Sequence, residues 1–570
     1  MPPTGSHGMG LIERRISLLM VVFFALLSLA GVRALWLGTV KASKLKQAAV
    51  SQQVATVEVP ARRGTITDRH GVELAVSEPA DDIAANPMLI DDPAGVANRI
   101  APIVGVPAGE LLEKLADRDR GFVYLQRLVP ASKSRRVDKL DIEGIDLIPS
   151  SRRIYPQKFL ASQLLGTVGI DGDGLGGLEY AHDELLRGRS GERRIVRDAL
   201  GEAISLRDER EMRAGRNVAL TLDAAIQDRA EKVLGEVGQA FSPKGATAIV
   251  MDPRSGELLA VANWPRVDAN ELGKAPDYAR TDRAVQFAYE PGSTFKAFTV
   301  AGALEDRLVT PRTVFHLPDT IQVADRTIEE AHGGLGTLDV SGILAQSSNV
   351  GTVMIGQRLG AQRFDRWVRR FGFGRTTGVD LPGEASGIVP SPDEYSGSSI
   401  GNLPIGQGLA VTPLQMATAY AAIANGGILR PARIVKALDG KPAARPRSRR
   451  IVSAPVAASV RQMLEGVLAA GGTAEEVSIP GYRLAGKTGT AQKPDPVNGG
   501  YSDDKYVASF VGFAPARAPR VLVVVMVDEP VGVHLGGAGA APAVQRILEF
   551  ALPYLRIPPD DAAEASQGMG

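Results

Sequence analysis

EPGSTFKAFTVAGALE, residues 290–305, is the stretch on which the reading of this chain turns. A Glu-Pro-Gly turn runs into an apolar segment with helical spacing, and Ser293 stands at the junction. Pro-Gly before such a run predicts a helix that starts at Ser293. The partial positive charge of a helix N-terminus favours a developing anion there. Positions i and i+3 share a helix face, so Lys296 can reach the Ser293 hydroxyl. A serine hydroxyl is a poor nucleophile without a base beside it. Lysine can be that base when burial or a neighbouring cation lowers its pKa. The Ser-x-x-Lys pattern alone is cheap, because Ser43–Lys46 and Ser502–Lys505 carry it too. Neither of those serines opens an apolar helix.

Two further motifs follow in chain order. Ser347-Ser348-Asn349 interrupts the apolar stretch GILAQSSNVGTVMIG (342–356), and Lys487-Thr488-Gly489, extended by Thr490, lies in YRLAGKTGTAQ (482–492). Polar residues inside an apolar stretch are either hydrogen-bonded or functional. A helix cap is the plain alternative for Ser-Ser-Asn. Lys487 would supply the cation that lowers the pKa of Lys296. Two decoys fail on context. Gly481–Thr488 matches the phosphate-loop pattern, but no strand-length apolar run precedes it, and Pro494 and Pro496 follow too soon for a helix. DGDGLG (171–176) suggests a calcium loop, but Leu175 and His182 stand where acids are needed.

The bulk composition is that of a globular protein with several domains: 570 residues, 44% hydrophobic, 23% charged. With 65 basic against 64 acidic residues, the chain lacks the basic excess of a nucleic-acid binder. The absence of cysteine removes disulfides, thiolate metal sites and a cysteine nucleophile. The six histidines form no HExxH pair, so no metal site and no cofactor is expected.

Ile16–Val32 is uncharged, and the apolar stretch resumes after Arg33 to Gly38. Residues 16–38 are therefore expected to be a transmembrane signal anchor, with 1–15 as a short cytoplasmic N-terminus. A cleaved signal peptide is the alternative, and the flanking charges do not decide the topology. Residues 1–10 read as disordered and 39–55 as a polar helical continuation of the anchor. From Val57 short strands and turns begin, with a hairpin turn at Arg69-His70-Gly71. Residues 39–216 are read as linker plus one extended, irregular module. ATAIVMD (246–252) and ELLAVANW (257–264) form a hairpin, helices are expected at 293–306, 338–360 and 412–425, and strands recur at 506–516 and 520–530. A last helix runs from 541 to 554. The expected fold for 217–557 is α+β, with sheet strands drawn from both ends of the domain. Residues 558–570 read as a loose tail.

The Ser-x-x-Lys, Ser-x-Asn and Lys-Thr-Gly set is shared by penicillin-binding proteins and class A β-lactamases. The chain resembles the class B penicillin-binding proteins, and most of all the division-specific FtsI type. RRGTITDRHGVELA (62–75), SRRIYP (151–156), SQLLGTVG (162–169) and GLEYAHDELLRGRSGERRIVRDALG (177–201) are similar to motifs of that family's non-catalytic N-terminal pedestal, or dimerisation, module. PIGQGLAVTPLQMATAYAAIANGG (404–427) is similar to a segment of its transpeptidase domain. Arg62 departs from the proline common at that place.

The resemblance implies a central antiparallel sheet flanked by helices, in the penicillin-binding and serine β-lactamase-like manner. It implies a peptidoglycan D,D-transpeptidase that is covalently inhibited by β-lactams. Ser293 would attack the D-Ala–D-Ala bond of a stem peptide, and Lys296 would act as base. Ser347 would relay the proton, and Asn349 would hold Lys296 and the substrate amide. Lys487 would tune the field, and Thr488 and Thr490 would bind the terminal carboxylate. Gly489 would let substrate lie along its strand, and the backbone N–H groups of Ser293 and Thr490 would form an oxyanion hole. An amine of a second stem would accept the acyl group. With no glycosyltransferase region or C-terminal accessory repeats expected, a SEDS glycosyltransferase of the FtsW type and other divisome membrane proteins are the implied partners, at the bacterial cytoplasmic membrane. An elongation or sporulation role, a carboxypeptidase or β-lactamase, and an inactive scaffold remain the competing readings.

Overall fold

Val521–Asp528, sequence VLVVVMVD, is buried at every position. A strand apolar on both faces must be covered on both. Here the Ala541–Tyr554 and Pro413–Ala424 helices both pack on it. The computed structural model describes residues 9–39, 54–197, 203–331, 333–495, 499–533 and 535–560. In it, Val521–Asp528 is the middle strand of a five-stranded antiparallel sheet. The spatial order is Glu257–Trp264, Gly245–Asp252, Val521–Asp528, Tyr501–Ala514, Ala485–Pro494. Strands from both ends of the domain thus share one sheet, as the apolar patterning predicts. Ala485–Pro494 is an edge strand, and among the described residues its outer side pairs with no strand.

The expected 293–306 helix is a 3-10 turn, Gly292–Phe295, continued by the α-helix Lys296–Glu305. The expected 338–360 helix is broken. Val340–Ala345 and Asn349–Leu359 are separate helices, and Ser347 between them has φ +58°. Pro413–Ala424 begins at a capping box of Thr412 and Gln415, with Pro413 at the first turn. All twelve of its residues are buried.

Contacts divide the chain into two compact units. One consists of Met1–Ala61 and Arg189–Arg213. It holds the helix Met9–Thr39, whose Arg14–Leu37 stretch has mean hydropathy 2.4 and is long enough to cross a membrane. It also holds a three-stranded antiparallel sheet ordered Val54–Val59, Gly191–Arg197, Ala203–Arg210. Val54 and Ala55 are strand, where a helical continuation was expected; the rest of that segment, 40–53, lies outside the described residues. So do 1–8 and 561–570, while Met9 and Gly10, read from sequence as disordered, are helical.

The other unit comprises Arg62–Gly188 and Ala214–Gly570. Its first stretch carries the predicted hairpin. Ile66–Thr67 pairs with Glu73–Ala85, and Asp68 Oδ1 ties the turn by accepting from His70 N at 2.7 Å and Val72 N at 2.9 Å. Ile66–Thr67 also lies parallel to Val218–Leu220, so a single sheet joins this stretch to the later domain. Ile83, Ile100, Leu111 and Leu125 belong to a separate small core in it.

Candidate active site

The turn that carries Ser293 is held from three sides. Gly292 has φ +53°, and a Cβ on it would lie 2.6 Å from Thr490 O, so only glycine lets this turn touch the edge strand. Tyr420, from the capped Pro413–Ala424 helix, donates its hydroxyl to Thr294 O at 2.6 Å. Beneath the turn, Phe295 and Phe298 pack on Phe371, Phe373 and Tyr420 with ring centroids 4.8 to 5.4 Å apart. A rigid aromatic floor thus fixes the helix whose first residue is Lys296.

Lys296 and Lys487 are both wholly buried. Lys296 Nζ donates to Asn349 Oδ1 at 2.7 Å, to Ser347 O at 2.5 Å and to Ser347 Oγ at 3.3 Å. Lys487 Nζ reaches the same Ser347 Oγ at 2.9 Å, and Thr488 O at 3.2 Å. Two amines therefore converge on one hydroxyl, and both donate only to neutral partners. Burial pushes Lys296 down to about 7, partly offset by Glu330. Burial, and then the charge of Lys296, holds Lys487 well below its ordinary value. For both amines burial is the larger cause, beside the neighbouring cation expected from sequence.

The left-handed Ser347 costs roughly 1–2 kcal/mol of backbone strain, which neighbouring bonds offset. Ser348 caps the next helix by accepting from Gly351 N at 2.8 Å. The cap reading of Ser-Ser-Asn holds for Ser348, while Ser347 and Asn349 on either side of it meet Lys296. Glu330, which sequence reasoning missed, braces the motif. It accepts from the Ser348 hydroxyl, from Asn349 N at 2.8 Å and from Val350 N at 3.2 Å. Its only sequence signal is an acid pair, Glu329-Glu330, after a short strand.

Lys487, Thr488, Gly489 and Thr490 lie within the edge strand, so the phosphate-loop match has no loop to form. Thr488 Oγ1 meets Thr473 Oγ1 at 2.8 Å, and Thr490 Oγ1 accepts from Gly536 N at 3.0 Å. Thr473 and Gly536 were also not singled out from sequence. The reason given for Gly489 changes. A Cβ there would meet Ser509 Oγ, Thr294 Cγ2 at 2.8 Å and Pro291 O at 2.9 Å. Its missing side chain faces the Ser293 turn and the adjoining strand, and makes room for protein, not for substrate.

A groove of about 920 Å³ runs along the strand and is lined by Ser293, Ser347, Asn349, Thr488 and Thr490. Lys296 and Lys487 lie behind that lining. Among the described residues no hydrogen bond joins Ser293 Oγ to Lys296 Nζ; such contacts often tighten only when substrate is bound. Of the decoy serines, Ser502 donates to Asp504 Oδ1 at 2.7 Å near the start of the Tyr501–Ala514 strand, and Ser43 lies outside the described residues. A serine at a helix start, a buried amine of low pKa three residues on, and a second serine bridging two amines can together carry out acyl transfer without histidine or metal.

The sequence profile of the penicillin binding protein transpeptidase domain matches residues 246–549, and that of the penicillin-binding protein dimerisation domain matches 58–220. The penicillin-binding protein PbpB of Mycolicibacterium smegmatis is 34% identical, across 94% of this chain and 90% of its own. The peptidoglycan D,D-transpeptidase FtsI of Escherichia coli K12 is 32% identical, across 95% and 91%. A crystal structure of penicillin binding protein 3 from Mycobacterium tuberculosis, complexed with aztreonam, superposes with TM-score 0.69 at 32% identity, across 88% of this chain and 98% of that one.

Proposed function

Because this chain belongs to the class B penicillin-binding proteins, we propose that it is a peptidoglycan D,D-transpeptidase with Ser293 as nucleophile. The observation that carries the residue roles is the pair of buried amines on Ser347 Oγ, directly behind a serine-lined groove on an open sheet edge.

Neutral Lys296 Nζ takes the proton of Ser293 Oγ, which attacks the carbonyl carbon of the penultimate D-Ala. The oxygen, now negative, is held by the backbone N–H groups of Ser293 and Thr490. One such donor is worth on the order of 100- to 1000-fold in rate. The C–N bond breaks, the departing D-Ala nitrogen receives a proton through Ser347 Oγ, and an ester remains on Ser293. The acceptor amine attacks that ester and yields its proton to Lys296. The C–O bond breaks, and Ser293 Oγ is reprotonated. Asn349 holds Lys296 and faces the substrate amide, and Lys487 orients Ser347. The Thr490 hydroxyl, already accepting from Gly536 N, has its proton free for the terminal carboxylate, and the Thr488–Thr473 hydroxyl pair lies beside it. The outer side of the edge strand offers the main-chain groups with which an extended peptide pairs, and Gly489 keeps the Ser293 turn against that strand.

The strained amide of a β-lactam enters the same path and leaves Ser293 acylated. Residues 16–38, within the Met9–Thr39 helix, serve as a single-pass anchor in the bacterial cytoplasmic membrane, with residues 1–15 cytoplasmic and the bulk of the chain outside. Residues 39–216 act as linker and pedestal module and 217–557 as the catalytic domain, a division supported by the two profile matches. Septal wall synthesis with a SEDS glycosyltransferase of the FtsW type and other divisome proteins is favoured by the similarity to FtsI. An elongation or sporulation role is the second reading.

Covalent labelling tests the assignment. The full chain in detergent, given a fluorescent penicillin, is expected to gain one persistent adduct by intact mass, retained in Ser502→Ala and lost in Ser293→Ala. An adduct that survives Ser293→Ala overturns the nucleophile, and rapid turnover of the label makes the protein a hydrolase.

A further inference from the structure

The groove contains a charge that this mechanism leaves unused. Arg326 opens the Arg326–Glu329 strand and lines the groove together with Ser293, Asn349 and Gln492. Its guanidinium lies over the Tyr501 ring, 5.5 Å from the centroid. Among the described residues no hydrogen bond or ion pair engages its N–H donors. Glu290 feels its charge, but Glu290 Oε1 is engaged by Gly408 N at 3.1 Å and Tyr501 Oη at 3.2 Å, and Glu290 Oε2, buried without a hydrogen-bond partner among the described residues, does not reach the guanidinium.

Its position along the edge strand gives this charge a meaning. The Ser293 turn touches that strand at Thr490. Thr488 lies two residues to one side. Tyr501 pairs with Pro494, four residues to the other. Strand residues advance by about 3.4 Å each. A stem peptide with its terminal carboxylate at Thr488 and Thr490, and its scissile carbonyl at Ser293, sends its earlier residues toward Gln492 and Arg326. The residue before the two D-alanines reaches that end of the groove first. The acceptor stem needs an amine-bearing residue to make the cross-link, and donor and acceptor stems come from one pool. The donor therefore brings its own diamino acid into the groove. Two chemistries of that residue differ here: a side chain ending in an ammonium alone, or one ending in an ammonium and a carboxylate. An unpaired guanidinium repels the first and pairs with the second.

We propose that Arg326 binds a carboxylate at the end of the donor's diamino acid, so that the substrate class is a stem peptide containing a diamino dicarboxylic acid. Glu329 lines the same wall with the opposite sign, to suit the neighbouring ammonium. The inference rests on the transpeptidase reading above.

The test uses the full chain in detergent and three donors of the form N-acetyl-X-D-Ala-D-lactate, with X as diaminopimelate, lysine or norleucine. D-Lactate release gives kcat/KM for each, and benzylpenicillin labelling of Ser293 is followed in parallel. The wild type is expected to prefer the diaminopimelate donor to the lysine donor about tenfold. Arg326→Gln should bring that ratio near one while leaving the lysine donor and benzylpenicillin labelling within about twofold, and Arg326→Lys should restore part of it. Equal use of diaminopimelate and lysine donors by the wild type overturns the proposal. So does an equal loss on all three donors in Arg326→Gln, which makes Arg326 a structural counter-charge for Glu290. Failure of benzylpenicillin to label Ser293 in the wild type overturns the transpeptidase reading itself, a result the donor ratios alone cannot mimic.

Discussion

Two clusters of buried cations stand in this molecule, and their partners differ. In the Arg62–Gly188 stretch, Arg63 and Arg153 grip one fully buried carboxylate. Arg63 Nε meets Glu179 Oε2 at 2.5 Å, and Arg153 Nε meets Glu179 Oε1 at 2.7 Å. Arg63 also pairs with Asp183 at 2.6 Å. In the groove, Lys296 and Lys487 are equally buried, yet no carboxylate touches either amine among the described residues. Arginine keeps its proton in any setting, and its fork matches a carboxylate. Lysine without a counter-charge sheds its proton when desolvated. The first cluster is therefore suited to holding the chain together, and the second to moving protons.

Removing the cation should separate the two. Lys296→Met is expected to cut acylation by benzylpenicillin about 100- to 10,000-fold while leaving the thermal unfolding midpoint unchanged or higher, since an uncompensated amine leaves the interior. Loss of stability without loss of acylation rate would abolish the contrast. At the other cluster, Glu179→Gln leaves two guanidiniums buried beside a neutral amide and should destabilise the protein by about 3–5 kcal/mol, read by denaturant unfolding. Its surviving folded fraction should acylate at the wild-type rate.

A smaller effect comes from pH. With Lys296 near 7, the base is protonated below that value and free above it. Acylation should rise about tenfold between pH 6 and 8 and then level off. A flat profile would remove Lys296 as the base. The least change is expected from Glu330→Gln, which keeps one acceptor oxygen for the Ser348–Val350 turn but loses the second and the charge. A slowing of roughly fivefold is expected. The midpoint of the pH profile should also move down, because the negative charge that supports the Lys296 ammonium is gone.

These clusters also mark where sequence reasoning reached its limit. Ser293, Lys296, Ser347, Asn349 and Lys487 were legible because each sits in a short motif with a local signature. Helix spacing brought Lys296 to Ser293, and the place of Ser347 and Asn349 beside them was legible only through the resemblance. Arg63, Arg153 and Glu179 lie in three stretches each recognisable as a module motif, yet no periodicity tells that they meet on one carboxylate. Glu330 and Gly536 act through contacts with residues distant in sequence, and the acid pair beside Glu330 does not say what it touches. The break at Ser347 was missed because apolar spacing continues across it, and a single left-handed residue leaves that spacing intact. The irregular module expected over 39–216 contains two pieces, because Val54–Val59 finds its strand partner at Gly191–Arg197, far along the chain.

Gly292, Gly489 and Gly536 form a place where backbone passes backbone. A methyl group on any of them would collide with a main-chain oxygen of Thr490, Pro291 or Gly489 respectively. For a population of cells under selection by an inhibitor, this closes the nearest route of escape. The groove's rim, at Arg326 or Gln492, is free of these backbone crossings.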